Sequence, residues 1–395
     1  MIDTETVRAF LDERHVAWAE RVATFARERI APLPDPRDDA AARDQARAIL
    51  SLFGDTDLHA PILETDLRAI ALAREALAWA SPLADAVYAL QALGTTPIVL
   101  AGSDVLRRRW LSEVSAGRAM AAFAMTELEA GSDVAAMATT ARKDGSGWVL
   151  DGTKSFISNA GIADFYTVFA TTDTSRGAKA IACFVILADT AGLEFVGPQV
   201  LSAPHPLGEI RFADCRVEDD CLLAGPYDGY KLGLATLDRL RATVAAAACG
   251  MAARALDEAT AHARERHQFG KPLADFQLVQ EKLARMATDL AAARLLTYRA
   301  AWAKDRGADR VTMESAMAKS FATEAAQRIV DDAVQILGGR GVLADHPVDR
   351  LYRAVRALRI YEGTTEIQRL VIARHLLNRA PAANPAASPR NPAAP

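Results

Sequence analysis

The most informative part of this chain is the stretch Ile360-Tyr361-Glu362-Gly363-Thr364-Thr365-Glu366-Ile367-Gln368-Arg369. Glu362 lies between an aromatic residue and a glycine, just before a segment that can form a helix. Thr364 is a suitable N-cap for that helix, which places the glutamate on the turn leading into it. Such a turn can project a carboxylate into a cleft, so the pattern is compatible with a general base. An ordinary solvated glutamate before an N-cap fits the same spacing.

The region before this stretch has the period of long amphipathic helices. Two series of apolar residues recur at steps of three and four: Phe276, Val279, Leu283, Met286, Leu290, and then Phe321, Ala325, Ile329, Ala333, Ile336. Each series lies on one face of a helix, and Gly338-Gly339 ends the second one. Four long helices fit between residues 229 and 378, so we expect a C-terminal four-helix bundle.

The N-terminal part is also helical in pattern. Residues 1–120 are rich in Ala, Leu, Arg and Glu with helical spacing. Ser81 and Pro82 fit the N-cap and first position of a helix that would run to Gly94.

A β-rich region separates the two helical parts. Residues 121–228 contain short runs such as Phe165–Thr171 and Ile181–Leu187 between turn signals. Asp144-Gly145 and Asp151-Gly152 are typical of hairpin turns. We expect a middle β domain of mostly antiparallel strands, similar to a barrel or sandwich.

These patterns predict an α+β fold of three domains. The predicted domains are an N-terminal helical domain (1–120), a middle β domain (121–228) and a C-terminal helical bundle (229–379). Residues 380–395 form a Pro/Ala-rich tail with nothing to bury, which we expect to be disordered.

Composition excludes several classes of protein. The chain has 395 residues, and the formal charge of 46 − 50 = −4 does not indicate a nucleic-acid binder. The four cysteines show no CxxC spacing and the seven histidines no HExxH cluster, so we predict reduced thiols and no metal site. No uncharged apolar stretch of ~20 residues and no signal-like N-terminus occurs, so we predict a cytoplasmic protein without a membrane span.

Three further segments could contact a ligand. The first, Phe123-Ala124-Met125-Thr126-Glu127 with Ala130-Gly131-Ser132-Asp133, runs from a strand into small residues that allow close backbone approach. The second, Arg266-His267-Gln268-Phe269-Gly270-Lys271, offers a guanidinium and a ring suited to a nucleotide diphosphate. The third, Gln335 to Gly341, contains paired glycines. Taken singly, each segment is also explained by a loop or a helix end.

Taken together, in this order and spacing, the four segments resemble the acyl-CoA dehydrogenase flavoprotein family over residues 1–378. The resemblance implies an FAD enzyme that oxidises an acyl-CoA thioester to the trans-2-enoyl thioester. It also implies a homotetramer, a dimer of dimers with FAD contacts across subunits, and an electron-transfer flavoprotein as electron acceptor. Glu362 would take the α-proton while flavin N5 accepts the β-hydride. Its backbone N–H, with a flavin ribityl hydroxyl, would stabilise the charge on the thioester oxygen.

The resemblance also implies the contacts of the cofactor and the substrate. The cofactor residues are Phe123, Met125, Thr126, Ser132, Phe156, Ile157, Ser158, Arg266, Gln268, Phe269, Phe276, Gln277, Gln335, Gly338, Gly339, Thr364 and Glu366. Gln335, Gly338 and Gly339 would reach FAD from a neighbouring subunit. The substrate residues are Ser132, Asp238, Arg241, Tyr361 and Gly363, and no metal is implied.

The sequence departs from the family pattern at several positions. The usual Thr-Glu-Pro-Gly ends here in Leu128-Glu129, which places an extra carboxylate near the thioester entrance. Phe156 and Ser158 replace the usual tryptophan and threonine but retain an aromatic cover and a hydroxyl donor. Some members place the base where this chain has Leu240, which cannot act as one. The segment 201–209 also differs, and its His205 is expected to be a loop side chain.

Other functions stay open at this point. The loss of the Pro-Gly pair allows an enzyme that acts on an acyl-carrier-protein thioester. A non-catalytic flavin- or thioester-binding assembly protein has no need to retain Glu362. An oxidase or flavin monooxygenase of related fold would have to admit O₂ to the reduced flavin.

Overall fold

The computed structural model describes residues 2–378, and the predicted tail at 380–395 lies outside them. The N-terminal part is helical, as predicted, and the bounds are α1 (Glu13–Phe25), α2 (Asp39–Gly54), α3 (Ala60–Glu64), α4 (Leu67–Ala80), α5 (Pro82–Ala101) and α6 (Asp104–Ser115). Helix α4 is the centre of this part, because nearly all of its side chains are buried, including the charged Arg74 and Glu75.

Helix α5 begins as predicted but ends later. Ser81 caps it by accepting from the Ala84 N–H, and Pro82 is its first residue. The prediction that it stops at Gly94 was wrong, since the helix continues through Pro97 to Ala101. The physical reason is packing: a Cβ on Gly94 would lie 2.7 Å from the Ala121 Cβ, so the glycine permits close approach to a strand.

The middle part is one open sheet. Its strands are β1 (Ala121–Ala124), β2 (Thr140–Asp144), β3 (Gly147–Ser158), β4 (Phe165–Thr171), β5 (Ile181–Leu187), β6 (Leu193–Pro198), β7 (Leu207–Glu218) and β8 (Leu222–Ala224). Along the sheet the order is β6-β7-β3-β2-β4-β5-β8, with β1 paired to β4.

The sheet differs from the prediction in two details. Most pairs are antiparallel, but β1 and β2 each pair with β4 in parallel, so the sheet is mixed, and in the described residues it does not close into a barrel. Asp144-Gly145 forms a turn between β2 and β3, whereas Asp151-Gly152 lies inside β3. Gly152 instead marks a shift in the β3–β7 register, and its φ of +141° is what glycine permits at such an irregularity.

The C-terminal part is helical. After α7 (Asp228–Glu265) come a small hairpin of β9 (His267–Gln268) and β10 (Lys271–Pro272), then α8 (Gln277–Asp305), α9 (Thr312–Leu337), α10 (Pro347–Leu358) and α11 (Thr365–Leu377). The two predicted apolar series lie on α8 and α9, and Gly338 ends α9 with a φ of +60°. Three of these helices are long and two are short, rather than four long ones.

The N- and C-terminal helices share a core. One buried cluster joins residues of α4 and α5 with Leu240 and Ala246 of α7 and Tyr298 of α8. At the α4–α7 crossing a Cβ on Gly250 would lie 2.1 Å from the Glu75 carbonyl oxygen, so the two backbones are nearly in contact. Within residues 2–378, helix α5 alone is long and apolar enough to cross a membrane, but 78% of its apolar window is buried, as in the core helix of a folded domain.

Candidate active site

The turn that carries Glu362 joins α10 to α11. Thr364 is the N-cap of α11, as predicted, and accepts from the Ile367 N–H at 3.3 Å. Glu362 has a φ of +52° and Gly363 a φ of +88°. A side-chain-bearing residue rarely adopts this left-handed conformation, which costs roughly 1–2 kcal/mol and persists where neighbouring contacts enforce it. The turn is therefore held in place from outside.

Two buried side chains hold it. The Gln368 Nε2 donates to the carbonyl oxygens of Glu362 and Gly363 at 3.2 and 2.9 Å. The Lys319 Nζ of α9 donates to the same Gly363 oxygen at 2.7 Å. Both side chains are fully buried, so these bonds are shielded from water.

Glu362 is half-buried among charges from four helices. Burial raises the pKa of its carboxyl, Arg74 (α4), Lys319 (α9) and Arg241 (α7) oppose that rise, and Asp85 (α5) adds to it. Its Oε2 is buried and has no hydrogen-bond partner within residues 2–378. The side chain is thus a carboxylate with a free oxygen and an increased proton affinity, which is what a general base requires.

A buried ion pair, Arg74 with Asp85, lies near Glu362 and was not predicted from the sequence. Arg74 Nε and Nη2 donate to Asp85 Oδ1 and Oδ2 at 2.8 and 2.9 Å, and Arg74 Nη1 donates to Thr243 Oγ1 at 3.0 Å. Both charged side chains are only 2% exposed. The available signal was a lone aspartate, Asp85, in the otherwise uncharged α5 and the charged residues of the apolar α4.

The predicted substrate residues Asp238 and Arg241 lie on α7. Arg241 Nη1 donates to Asp238 Oδ1 at 3.3 Å, and Thr312 Oγ1 donates to the other carboxylate oxygen at 2.9 Å. The fold brings Arg241 close enough to Glu362 to lower the pKa of its carboxyl. Tyr361 is on the same turn, whereas Ser132 is exposed on the loop after β1.

That loop is held by a buried glutamate. Glu127 accepts from the N–H groups of Ala138 and Thr139 at 2.6 and 2.9 Å and from Lys154 Nζ at 2.7 Å. The side chains of Phe123 and Met125 are buried in the core, so these two residues would contact a ligand through their backbone. The Thr126 carbonyl already accepts from the Ser155 N–H at 3.0 Å.

The residues Phe156, Ile157 and Ser158 end strand β3 at an irregularity in its pairing with β7. Phe156 has a φ of +59°, and its ring is 51% exposed, while Ile157 is buried. Ser158 Oγ lies 2.7 Å from His205 Nε2. His205 lies in the loop before β7, as expected from the sequence. Burial and the nearby Arg43 charge lower its pKa to about 4, so its imidazole is neutral at pH 7.

The remaining predicted cofactor residues lie on exposed edges. Phe269 is 94% exposed, at the tip of the β9–β10 hairpin, and its ring is 6.2 Å from that of Phe276. Gln335, Gly338 and Gly339 are at the end of α9, and a Cβ on either glycine would meet nothing within 4 Å. In the described part of the chain no hydrogen bond joins the hairpin or these glycines to the Glu362 turn. The remaining predicted residues are Arg266, Gln268 and Gln277 on the hairpin side, with Thr364 and Glu366 opening α11.

The observed residues fit a flavin. The Phe156 ring is exposed two residues before Ser158, and the glycines at the end of α9 leave their backbone open. A planar ring system can stack on the Phe156 ring, and a nucleotide can closely approach the backbone of Gly338 and Gly339.

Comparison with known proteins agrees with this fold. Residues 12–118, 122–215 and 227–377 match the family models described as the N-terminal, middle and C-terminal domains of acyl-CoA dehydrogenase. The probable acyl-CoA dehydrogenase FadE25 of Mycobacterium tuberculosis is 38% identical over 375 residues, which cover 93% of this chain and 96% of that protein.

Solved structures give the same result. Butyryl-CoA dehydrogenase from Megasphaera elsdenii superposes with a TM-score of 0.87 at 32% identity, covering 93% of this chain and 99% of that one. A chain from the structure reported as the electron transferring flavoprotein of Acidaminococcus fermentans gives 0.88 at 33% identity, with the same coverage of both chains.

The fold and the comparisons show that this chain is a three-domain flavin oxidoreductase that uses FAD. The chain belongs to the acyl-CoA dehydrogenase family, whose members carry out FAD-dependent dehydrogenation of acyl-CoA.

Proposed function

We propose that this chain oxidises an acyl-CoA thioester to its trans-2-enoyl form and that Glu362 removes the α-proton. The observation that carries the proposal is the Glu362 carboxylate itself. It stands on a left-handed turn, with Oε2 unpartnered in the described residues and its pKa raised by burial. A raised pKa strengthens the base, and the adjacent cations limit that rise.

Other residues would bind the cofactor and the substrate. Phe123, Met125 and Thr126 would hold a flavin ring, with Phe156, Ile157 and Ser158 covering it. When bound, FAD supplies the acceptor for the hydride that leaves Cβ. The Glu362 N–H would donate to the thioester oxygen and stabilise the negative charge that develops there as the α-proton leaves. Asp238 and Arg241 would contact the CoA moiety.

The test is anaerobic titration of the purified, FAD-loaded protein with a panel of straight, branched and aryl acyl-CoA thioesters. A substrate should bleach the visible flavin absorbance. Glu362→Gln should abolish the bleaching while FAD stays bound, whereas the exposed Glu281→Gln should bleach like the unaltered protein. Bleaching that survives in Glu362→Gln would refute the assignment of the base.

A carrier-protein thioester is the second candidate. It is favoured by Leu128 and Glu129, which are both exposed on the loop after β1, where a carboxylate would repel the phosphates of CoA. Turnover of one acyl group on CoA and on an acyl carrier protein separates the two candidates. Faster turnover of the CoA form excludes the carrier-protein version.

We further infer a homotetramer, a dimer of dimers, that passes electrons to an electron-transfer flavoprotein in the cytoplasm. The exposed Phe269 and the open glycines at the end of α9 support subunit contact, because a single chain leaves them uncovered. Light scattering on the FAD-loaded protein should give four chains, and a monomer would contradict the shared cofactor site. Reoxidation by an electron-transfer flavoprotein should outpace reoxidation by O₂.

A further inference from the structure

The turn that carries Glu362 needs an external anchor, and Lys319 is the unusual one. An amide such as Gln368 can be buried at moderate cost once it is hydrogen-bonded, whereas a buried ammonium costs several kcal/mol unless it is compensated. Lys319 lies in the first third of α9 with no exposed surface, and its Nζ donates to the Gly363 carbonyl oxygen at 2.7 Å. A methionine or leucine would fill the same space without that cost.

The charges around Lys319 show what compensates it. Burial lowers its pKa to about 8, and Arg241 acts in the same direction. Glu362 opposes this effect most strongly, followed by Glu324 and Glu366. With a pKa about one unit above neutrality, the ammonium form exceeds the amine by roughly tenfold at pH 7. Lys319 is therefore a buried cation whose strongest compensating charge is that of the proposed base.

We propose that Lys319 is a positioning residue for the α-proton transfer: it fixes the Glu362-Gly363 turn through the Gly363 carbonyl and stabilises the ionised carboxylate of Glu362. This inference rests on the proposed function of Glu362. It extends that proposal to a residue that the sequence analysis did not predict. The other charged groups that face Glu362 are Arg74 from α4, Arg241 from α7 and Asp85 from α5.

The proposal makes a signed prediction for the pH profile. Proton removal requires ionised Glu362, so the rate of flavin reduction by substrate falls at acid pH along the titration of that carboxyl. Removing the Lys319 charge raises the pKa of Glu362, because a compensating cation is lost. The acid limb is the part of the pH profile where the rate of flavin reduction falls with decreasing pH. Lys319→Met should move this acid limb to higher pH by about one unit, so that the rate at a given pH on the limb falls about tenfold.

The matched control is Lys304→Met. The Lys304 ammonium also donates to backbone carbonyls, those of Ala308 and Asp309, at 2.9 Å each, but it closes the end of α8 far along the chain from the turn. This variant loses the same kind of hydrogen bond and should leave the acid limb in place. Lys319→Gln removes the charge but retains an amide donor, and it provides a second variant should Lys319→Met not fold.

An infrared measurement tests the carboxyl directly. The Glu362 band, assigned by its loss in Glu362→Gln, should titrate at higher pH in Lys319→Met and Lys319→Gln than in the unaltered protein or Lys304→Met. An unmoved band together with an unmoved acid limb in both Lys319 variants would overturn the proposal. If substrate still reduced the flavin of Glu362→Gln at the normal rate, the proposed function of Glu362 would be refuted. That result is distinct from the one that overturns the role of Lys319.

Discussion

Replacing Asp85 by asparagine tests the ion pair beside Glu362. The variant leaves the Arg74 guanidinium, only 2% exposed, opposite a neutral amide. Removing one partner of a buried ion pair costs about 3–5 kcal/mol. Because Arg74 keeps its 3.0 Å bond to the Thr243 hydroxyl, we expect the lower end, a loss of about 3 kcal/mol in the free energy of unfolding.

The assay is urea unfolding of the FAD-loaded protein at pH 7. With an m-value near 3 kcal/mol per molar urea, this loss lowers the midpoint by about 1 M. Glu113→Gln is the matched control, because Arg118 binds Glu113 in the same two-bond geometry, at 2.8 and 2.7 Å, on the protein surface. Exposed pairs contribute little, so its midpoint should not move measurably. Equal midpoints for the two variants would refute the reasoning.

The same variant has a consequence for the base. Asp85 raises the pKa of Glu362, whereas Arg74 lowers it. Without Asp85 the Arg74 charge acts unopposed, and the acid limb of flavin reduction should move to lower pH. That direction is opposite to the one expected for Lys319→Met. An upward movement in Asp85→Asn would contradict the assigned electrostatics.

Two further predictions concern stability. Burial lowers the pKa of His59 from 6.5 to about 4, so its contribution to stability is complete above pH 6.5 and is lost as the pH falls towards 4, by about 3 kcal/mol. Between pH 6.5 and pH 4 the urea midpoint should fall less steeply in His59→Gln than in the unaltered protein. In the exposed His267→Gln it should fall as steeply as in the unaltered protein. If the midpoint of His59→Gln fell as steeply too, His59 would be excluded as the cause of the loss. Gly250→Ala places a Cβ 2.1 Å from the Glu75 carbonyl oxygen and should cost about 1–3 kcal/mol in thermal unfolding. Gly225→Ala, which meets nothing within 4 Å, should be neutral, and equal melting temperatures would contradict the close packing of α4 on α7.

The elements predicted best were those whose local pattern and tertiary environment agree. Strands β4 and β5 were predicted with their observed bounds, because buried β-branched and aromatic runs ended in turns. The apolar series on α8 and α9 predicted which faces are covered, since a period of 3.6 allows few other arrangements.

Two of the errors came where a glycine serves packing rather than chain reversal. Gly94 was expected to end α5, and Gly152 was expected to form a hairpin turn. Both lie inside regular elements, where the missing Cβ admits a neighbouring residue, Ala121 in one case and Thr139 in the other. A sequence shows that a glycine is present but not what approaches it.

The candidate site was predictable only in part, for a similar reason. Glu362 stands in a recognisable local pattern, and so does Thr364, which caps α11 as expected. Arg74, Asp85 and Lys319 come from three different helices and have no local motif. They were missed because only the folded chain brings their charges together around one carboxylate.

That arrangement explains why the site includes an anion as well as cations. A base on a turn flanked by Arg74, Arg241 and Lys319 alone would ionise readily but bind a proton weakly, and a weak base abstracts an α-proton slowly. Asp85 neutralises Arg74 and returns part of the lost proton affinity to Glu362. Lys319 then favours the ionised form of the carboxylate, while its ammonium donates to the Gly363 carbonyl. The pKa of the proposed base is thus set by opposing groups on separate helices, which is why the two variants should shift the acid limb in opposite directions.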